Sequence, residues 1–204
     1  MPKPTFFNLP EEKKQLLLKE AVKEFSRASL PEASIANIVK AAGIARGSFY
    51  QYFEDKEDLY FYILSDFIQS KRKAFITILE KNNGNLFSTF FHFFEEFIRD
   101  KENYHFYQNA LLNMSYKIEK KFEAMISVKE LNEDFIVLSS MIDMSNLKVT
   151  DHKELFHAIQ LMVSITIRNF IQVFAREVSY EEAVNNFRIE MKLLMTGLLK
   201  DVNV

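Results

Sequence analysis

Breakers are scarce in this chain: only four glycines and four prolines punctuate 204 residues, and three of the prolines fall before residue 11. Glycine and proline end helices and make turns, so a chain poor in both is expected to fold into long helices, an all-α protein. With 48% hydrophobic and 26% charged residues it has the composition of a soluble globular protein able to bury a substantial core. The absence of cysteine excludes disulfides, thiol chemistry and Cys-type zinc fingers and fits a reducing compartment, so a cytoplasmic protein is expected. Residues Met1 to Pro10 lack the apolar core of a secretion signal. No stretch shows the ~18 uncharged apolar residues of a membrane span, and no membrane partner is expected. A net charge of −2 confines any nucleic-acid binding to a local patch.

Such a patch lies between Ala33 and Phe53. Ser34 is a helix N-cap, and behind it Ile35, Ile38, Val39 and Ala42 recur at i, i+3, i+4 and i+7 as one apolar face. Gly43 stops that helix. A second short helix from Arg46 turns Phe49 and Phe53 to one side and Arg46, Ser48, Tyr50 and Gln51 to the other. Two short helices joined by a glycine turn read as a helix-turn-helix. Glu32 and Glu54 bracket the stretch, and between them the only charged residues are Lys40 and Arg46. Such a surface favours phosphate approach. The plainer reading is a helical hairpin inside a larger core.

Ser34-Ile35, Ile38, Ala41-Ala42-Gly43-Ile44, Gly47-Ser48-Phe49-Tyr50, Tyr52-Phe53 and Asp55-Lys56-Glu57-Asp58-Leu59 together resemble, in one ungapped register over the first third of the chain, the TetR family of transcriptional regulators. The resemblance implies a three-helix DNA-binding head at residues 1–53 and a ligand-binding and dimerisation body at 54–204, about nine helices in all. It implies a homodimeric repressor on a pseudo-palindromic double-stranded DNA operator, released by a small-molecule effector, with no cofactor and no enzymatic role. The DNA-binding residues it implies are Ser34, Asn37, Arg46, Gly47, Ser48, Tyr50, Gln51, Tyr52 and Lys56. Of these, Arg46, Ser48 and Gln51 would face base edges, and Tyr50, Tyr52 and Lys56 phosphates. The chain departs from the family at Ala45, where a capping Ser or Thr is common, and at Tyr52, where His is.

Along the rest of the chain, Met1 to Asn8 reads as a mobile arm. Leu9-Pro10-Glu11-Glu12 starts a first helix, whose stripe of Leu18, Ala21, Val22 and Phe25 is expected to pack on Ile38 and Phe49. Asp55 and Asp58 form a capping box that opens a long helix to about Glu80. After the breaker at Asn82 to Asn85, one helix face carries Phe87, Phe90, Phe91, Phe94 and Ile98, and a second carries Leu86, Phe93 and Phe97. One core stripe uses the first face. The second is either further core or, with Tyr104 and Tyr107 on the next helix, the wall of a cavity for an apolar or amphipathic effector.

Two more helices are expected over Glu102 to Met114 and Tyr116 to Ser140, the latter amphipathic through Phe122, Met125, Ile126, Leu131 and Phe135. Asp151 caps a helix apolar nearly all round, within which Arg168 is either the edge of a dimer bundle or an anchor for an anionic ligand group. Ser179 and Glu182 box the last helix, where Tyr180, Val184, Phe187, Met191, Leu194 and Leu198 make a coiled-coil-like seam, and the resemblance implies that the last two long helices form a four-helix bundle between two subunits.

One enzyme reading competes. Glu102-x-x-His105 and Glu154-x-x-His157 match the Glu-x-x-His pattern of di-metal carboxylate bundles, with Glu80 or Glu95 and Glu123 or Glu130 as further ligands. Against it, Glu154 and His157 share a stripe with Arg168. The chain has no His-Glu-x-x-His, no phosphate-binding glycine loop and no Gly-x-Ser-x-Gly elbow.

Overall fold

The computed structural model describes residues 1–101, 103–113, 116, 133–176 and 178–198. Among them ten helices occur and no strand: α1 (Pro4–Phe7), α2 (Glu11–Arg27), α3 (Ile35–Ala41), α4 (Arg46–Tyr52), α5 (Lys56–Lys81), α6 (Leu86–Arg99), α7 (Tyr104–Leu112), α8 (Glu133–Ser140), α9 (His152–Arg176) and α10 (Tyr180–Leu198). The fold is all-α, with an N-terminal helix-turn-helix and a C-terminal helical domain. Of the helix expected over 116–140, Phe122, Met125, Ile126 and Leu131 lie outside the described residues, as do Glu102, Glu123 and Glu130 of the metal reading and the side chain of Leu198.

Helix starts follow the caps written in the sequence. Ser34 accepts the Asn37 N–H, Asp55 the Asp58 N–H at 2.8 Å, Asn85 the Ser88 N–H at 2.9 Å, Asp151 the Glu154 N–H at 2.8 Å and Ser179 the Glu182 N–H at 3.2 Å. Gly43 has φ +65°, the left-handed conformation that lets the chain leave α3 and turn into α4.

The chain divides into two compact units. The first comprises residues 1–70 and 102–125, so α7 belongs with the head helices; the second comprises 71–101 and 126–204. Within the first, α2 packs on α3 and α7, α3 on α4, and α1 on α4. Its core holds Leu17, Phe25, Ile38, Phe49, Phe53 and Phe106, each 1% exposed or less. Within the second, α6 packs on α9 and α10, and α9 on α10 and α8. Phe94 is stacked between Phe170 at 5.2 Å and Phe187 at 4.1 Å.

Four expectations change. Met1 to Asn8 is no mobile arm: it forms α1, the helix beyond the nine expected, because Phe6 is fully buried against the rings of Phe53 and Tyr62 at 4.8 and 5.3 Å. The buried face of α2 is Leu17, Ala21, Glu24 and Phe25, with Leu18 and Val22 only half-buried, because the Glu24 carboxylate is drawn inward to the start of α3. Half of the α10 seam is spent inside the chain, since Val184, Phe187 and Met191 are buried. Finally, residues 152–175 are by length and composition apolar enough to cross a membrane, against the reading that no stretch is. Packing on α6, α8 and α10 accounts for the buried apolar residues of that helix, among them Leu155, Met162, Phe170 and Phe174.

Candidate nucleic-acid interface and effector wall

Helix α4 is seated by Phe49 and Phe53, both fully buried with ring centroids 5.8 Å apart. This fixes what faces outward: Arg46, Gly47 and Gln51 are exposed, Tyr50 is 41% exposed, and Ser48 and Tyr52 are half-buried. A Cβ on Gly47 would meet nothing within 4 Å among the described residues, so no packing among them demands glycine there. Lys40 is exposed on α3, and no carboxylate belongs to the chain between Glu32 and Glu54. The result is a short, cationic and hydroxyl-bearing face of the kind that reads base edges and phosphates.

Three of the expected DNA-binding residues hold the protein's own backbone or side chains. Ser34 caps α3. The Asn37 amide donates to both Glu24 carboxylate oxygens, at 3.2 and 3.4 Å. Lys56 donates from Nζ to the carbonyls of Pro31 at 2.5 Å and Ala33 at 3.0 Å, clamping the loop that leads into α3. An ammonium has three N–H groups, which leaves one for a phosphate.

Glu24 was not singled out in the sequence. It is 7% exposed, accepts the Ser34 N–H at 2.8 Å, and pairs with Arg27 at 2.7 Å. The Arg27 hydrogen bond first, then those of Ser34 and Asn37, holds its carboxyl below the usual carboxylate range against the opposing effect of burial. The available signal was its place at i+3 from Ala21 and beside Phe25, an acid on the buried face. Asn109 of α7 was missed too: its amide donates to the carbonyls of Phe25 at 3.1 Å and Ser26 at 2.7 Å, closing the C-terminal end of α2. Nearby, burial pushes the Tyr60 hydroxyl up to about 12.

The residues expected to line an effector cavity are divided between the units. Phe93 and Phe97 lie in the second, among aromatic rings: Phe97 stacks on Phe170 at 4.1 Å and receives Lys71 over its face at 5.1 Å, while Phe93 meets Phe75 at 5.4 Å. Tyr104 and Tyr107 lie in the first, where Tyr107 is buried against Phe67 at 5.5 Å. Arg168 is exposed and pairs with Glu190 of α10, whose other oxygen accepts the Asn169 amide at 2.6 Å, so the guanidinium is already matched. A cavity of about 820 Å³ opens beside α2 and α5, lined in part by Leu16, Leu18, Val22, Tyr62 and Phe67; Phe93, Phe97, Tyr104, Tyr107 and Arg168 are not in its lining.

For the metal reading, Glu154 is engaged in the α9 cap, accepting the N–H and hydroxyl of Thr150 at 2.6 and 2.8 Å, while His157 is exposed. His105 is exposed and bonds Gln108 at 3.4 Å. No group of three or more metal-binding side chains occurs among the described residues.

Two family models match the chain: that of bacterial regulatory proteins of the tetR family over residues 17–63, and that of the tetracyclin repressor-like C-terminal domain over residues 85–198. The chain belongs to the TetR family. TetR proteins are DNA-binding transcriptional regulators, not a class of enzymes. Among curated relatives, the uncharacterized HTH-type transcriptional regulator YdgC of Bacillus subtilis is 38% identical over 74 residues, 36% of this chain and 38% of that protein. The HTH-type transcriptional regulator AcrR of Shigella flexneri is 40% identical over 50 residues, 24% of this chain and 23% of that one. These matches therefore span well under half of either relative. In fold, the chain is similar to Pseudomonas aeruginosa NalD, the secondary repressor of the MexAB-OprM multidrug efflux pump, with a TM-score of 0.66 at 14% identity over 94% of this chain and 97% of that one. The TetR helix-turn-helix corresponds here to α3 and α4, and its C-terminal domain to α6 through α10.

Proposed function

We propose that this TetR-family regulator is a homodimeric, cytoplasmic repressor that binds a pseudo-palindromic operator through α4 and leaves it when a small apolar or amphipathic effector occupies the body. The observation that carries the DNA reading is the outward face of α4, with Arg46, Gly47, Tyr50 and Gln51 presented on a helix whose other side is locked by Phe49 and Phe53. Arg46, Ser48 and Gln51 read bases, Tyr50 and Tyr52 hold phosphates, and Lys56 offers its remaining N–H to one. Selection from random duplexes should return a sequence with two related half-sites about one helical turn, or a multiple, apart. In Arg46→Ala the selected sequence should lose information at one position of each half-site. An unchanged sequence would put the recognition register elsewhere.

Dimerisation through α9 and α10 is supported by apolar residues left open on them: Leu161, Ile171, Ile189 and Leu193 are 54, 37, 51 and 70% exposed. Two such surfaces closing on one another would remove the patch from water. The effector has its best lodging in the aromatic cluster of the second unit. There a planar or acyl group would enter by parting Phe97 from Phe170, with Phe93 beside it. Titrating hydrophobic ligands against the protein on its selected duplex tests this part, and release that is equally strong in Phe93→Trp would move the effector to another wall.

A further inference from the structure

The last four carbonyls of any α-helix lack a partner within the helix and must find one elsewhere. In α4 all four are taken, and three of them by residues more than forty positions away. The Phe49 carbonyl accepts the Phe53 N–H at 2.9 Å, at the ordinary end of the helix. The Tyr50 carbonyl accepts Nζ of Lys3 at 2.7 Å, the Gln51 carbonyl accepts the Thr5 hydroxyl, and the Tyr52 carbonyl accepts the Lys3 backbone N–H at 2.8 Å. Between Lys3 and Thr5 the chain enters α1, and Phe6 pins it with a fully buried ring against Phe53.

The opposite end of α4 has no such help. Its N-cap is Ala45, which makes no side-chain hydrogen bond. A helix of seven residues is far below the ~12–15 at which isolated helices become even marginal, so the order of α4 comes from what holds it. Phe49 and Phe53 hold it from beneath. Lys3 and Thr5 hold its last turn, and the Lys3 ammonium lies at the negative end of its dipole. The three carbonyls they take belong to Tyr50, Gln51 and Tyr52, whose side chains stand on the outward face or at its edge.

We propose that residues 3–6 are a strap that sets the recognition helix for DNA, with Lys3 and Thr5 as positioning residues that act through the α4 carbonyls. The proposal rests on the DNA-reading role of α4. With the strap in place the last turn cannot unwind or tilt without giving up three hydrogen bonds. Tyr50 and Gln51 therefore meet the groove already arranged, and the cost of ordering them is not met again on binding.

The test uses the full chain and the duplex that the wild-type protein selects. The variant Lys3→Met/Thr5→Val keeps Phe6 and the backbone bond while removing both side-chain donors. It should bind that duplex about tenfold more weakly, about 1.4 kcal/mol. Its affinity for a scrambled duplex should change much less, and its salt dependence on the selected duplex should match wild type. Lys3→Arg/Thr5→Ser should recover most of the loss, and Thr5→Val alone gives the same comparison with Lys3 intact if the double variant folds poorly. A salt slope lower by about one would make Lys3 a phosphate contact instead and overturn the strap. So would equal affinity for the selected duplex, or an equal loss on both duplexes. A wild-type protein that selects no sequence at all overturns the DNA reading itself, whereas a selecting wild type with an indifferent variant overturns only the strap.

Discussion

Replacing Glu24 by Gln should destabilise the head at neutral pH, and the deficit should vanish in acid. The carboxylate takes the Ser34 N–H, the Asn37 amide and the Arg27 guanidinium at once. Hydrogen bonds to a charged group contribute ~1.5–3 kcal/mol, against ~0.5–1.5 for a neutral pair, so losing the charge costs about 1 kcal/mol at each of the first two. The Arg27 pair adds under ~1 kcal/mol, because that side chain is 61% exposed. Gln also turns an NH2 group toward other donors, leaving one partner unmatched. The sum is about 2–3 kcal/mol, or a melting temperature lower by roughly 4–12 °C for a chain of this size.

The pH dependence follows from the direction of the shift. The folded carboxyl titrates below its ordinary 4.5, so its stabilisation is complete above about pH 4.5 and is lost as the pH falls through the lower folded value. Urea denaturation of wild type and Glu24→Gln across this range should give curves that converge in acid. A deficit under about 0.5 kcal/mol at neutral pH, or one that stayed constant into acid, would refute the assignment of the charge as the hub of these contacts.

Gly84→Ala should cost about 2–5 kcal/mol by urea denaturation, because φ is +77° there and the new Cβ would lie 2.5 Å from the Met141 carbonyl oxygen and 2.7 Å from the Asp143 nitrogen, both backbone; a loss under ~1 kcal/mol would mean that residues 141–143 yield. Ile189→Glu/Leu193→Glu should give folded monomers by sedimentation, whereas Phe187→Ala should lower stability by about 3–5 kcal/mol because its ring is stacked in the core. A double variant that still sedimented as a dimer would place the interface elsewhere. Ala45→Ser should stabilise α4 by ~0.5–2 kcal/mol, since Ala45 already has the extended backbone of a cap at φ −67° and ψ 143°. Slower amide exchange at Gly47 checks this, and unchanged exchange would show that the new hydroxyl caps nothing.

What the sequence carried well was local. Caps at Ser34, Asp55, Asp151 and Ser179 depend on atoms three residues away, and a cap residue followed by an apolar period announces itself. The left-handed turn at Gly43 and the inward pair Phe49 and Phe53 were legible for the same reason. The α10 seam was legible as apolar but not in its destination. A stripe of Val184, Phe187 and Met191 looks alike whether it meets α6 of its own chain or a second copy, and here Phe94 claims Phe187. The exposed apolar pair Ile189 and Leu193 stands at i and i+4 on α10, too short a run for the sequence to set it apart from the seam.

The polar contacts escaped for a different reason. Lys3, Glu24, Lys56 and Asn109 all satisfy the backbone of an element remote in sequence: α4, the start of α3, the loop before α3, and the end of α2. The side chains suited to that task, with one charge or several donors on a short or flexible stem, are those suited to a phosphate or a base edge. The resemblance implies DNA contacts for Ser34, Asn37 and Lys56, side chains equally suited to structural bonds, and it takes the distances to show the internal bonds they make. In a head built from helices of seven residues, each helix end is a large fraction of the helix. The polar residues that would otherwise face the groove are drawn into closing those ends. Among the described residues no such duty falls to the exposed side chains of Arg46 and Gln51, and they should therefore carry most of the specificity.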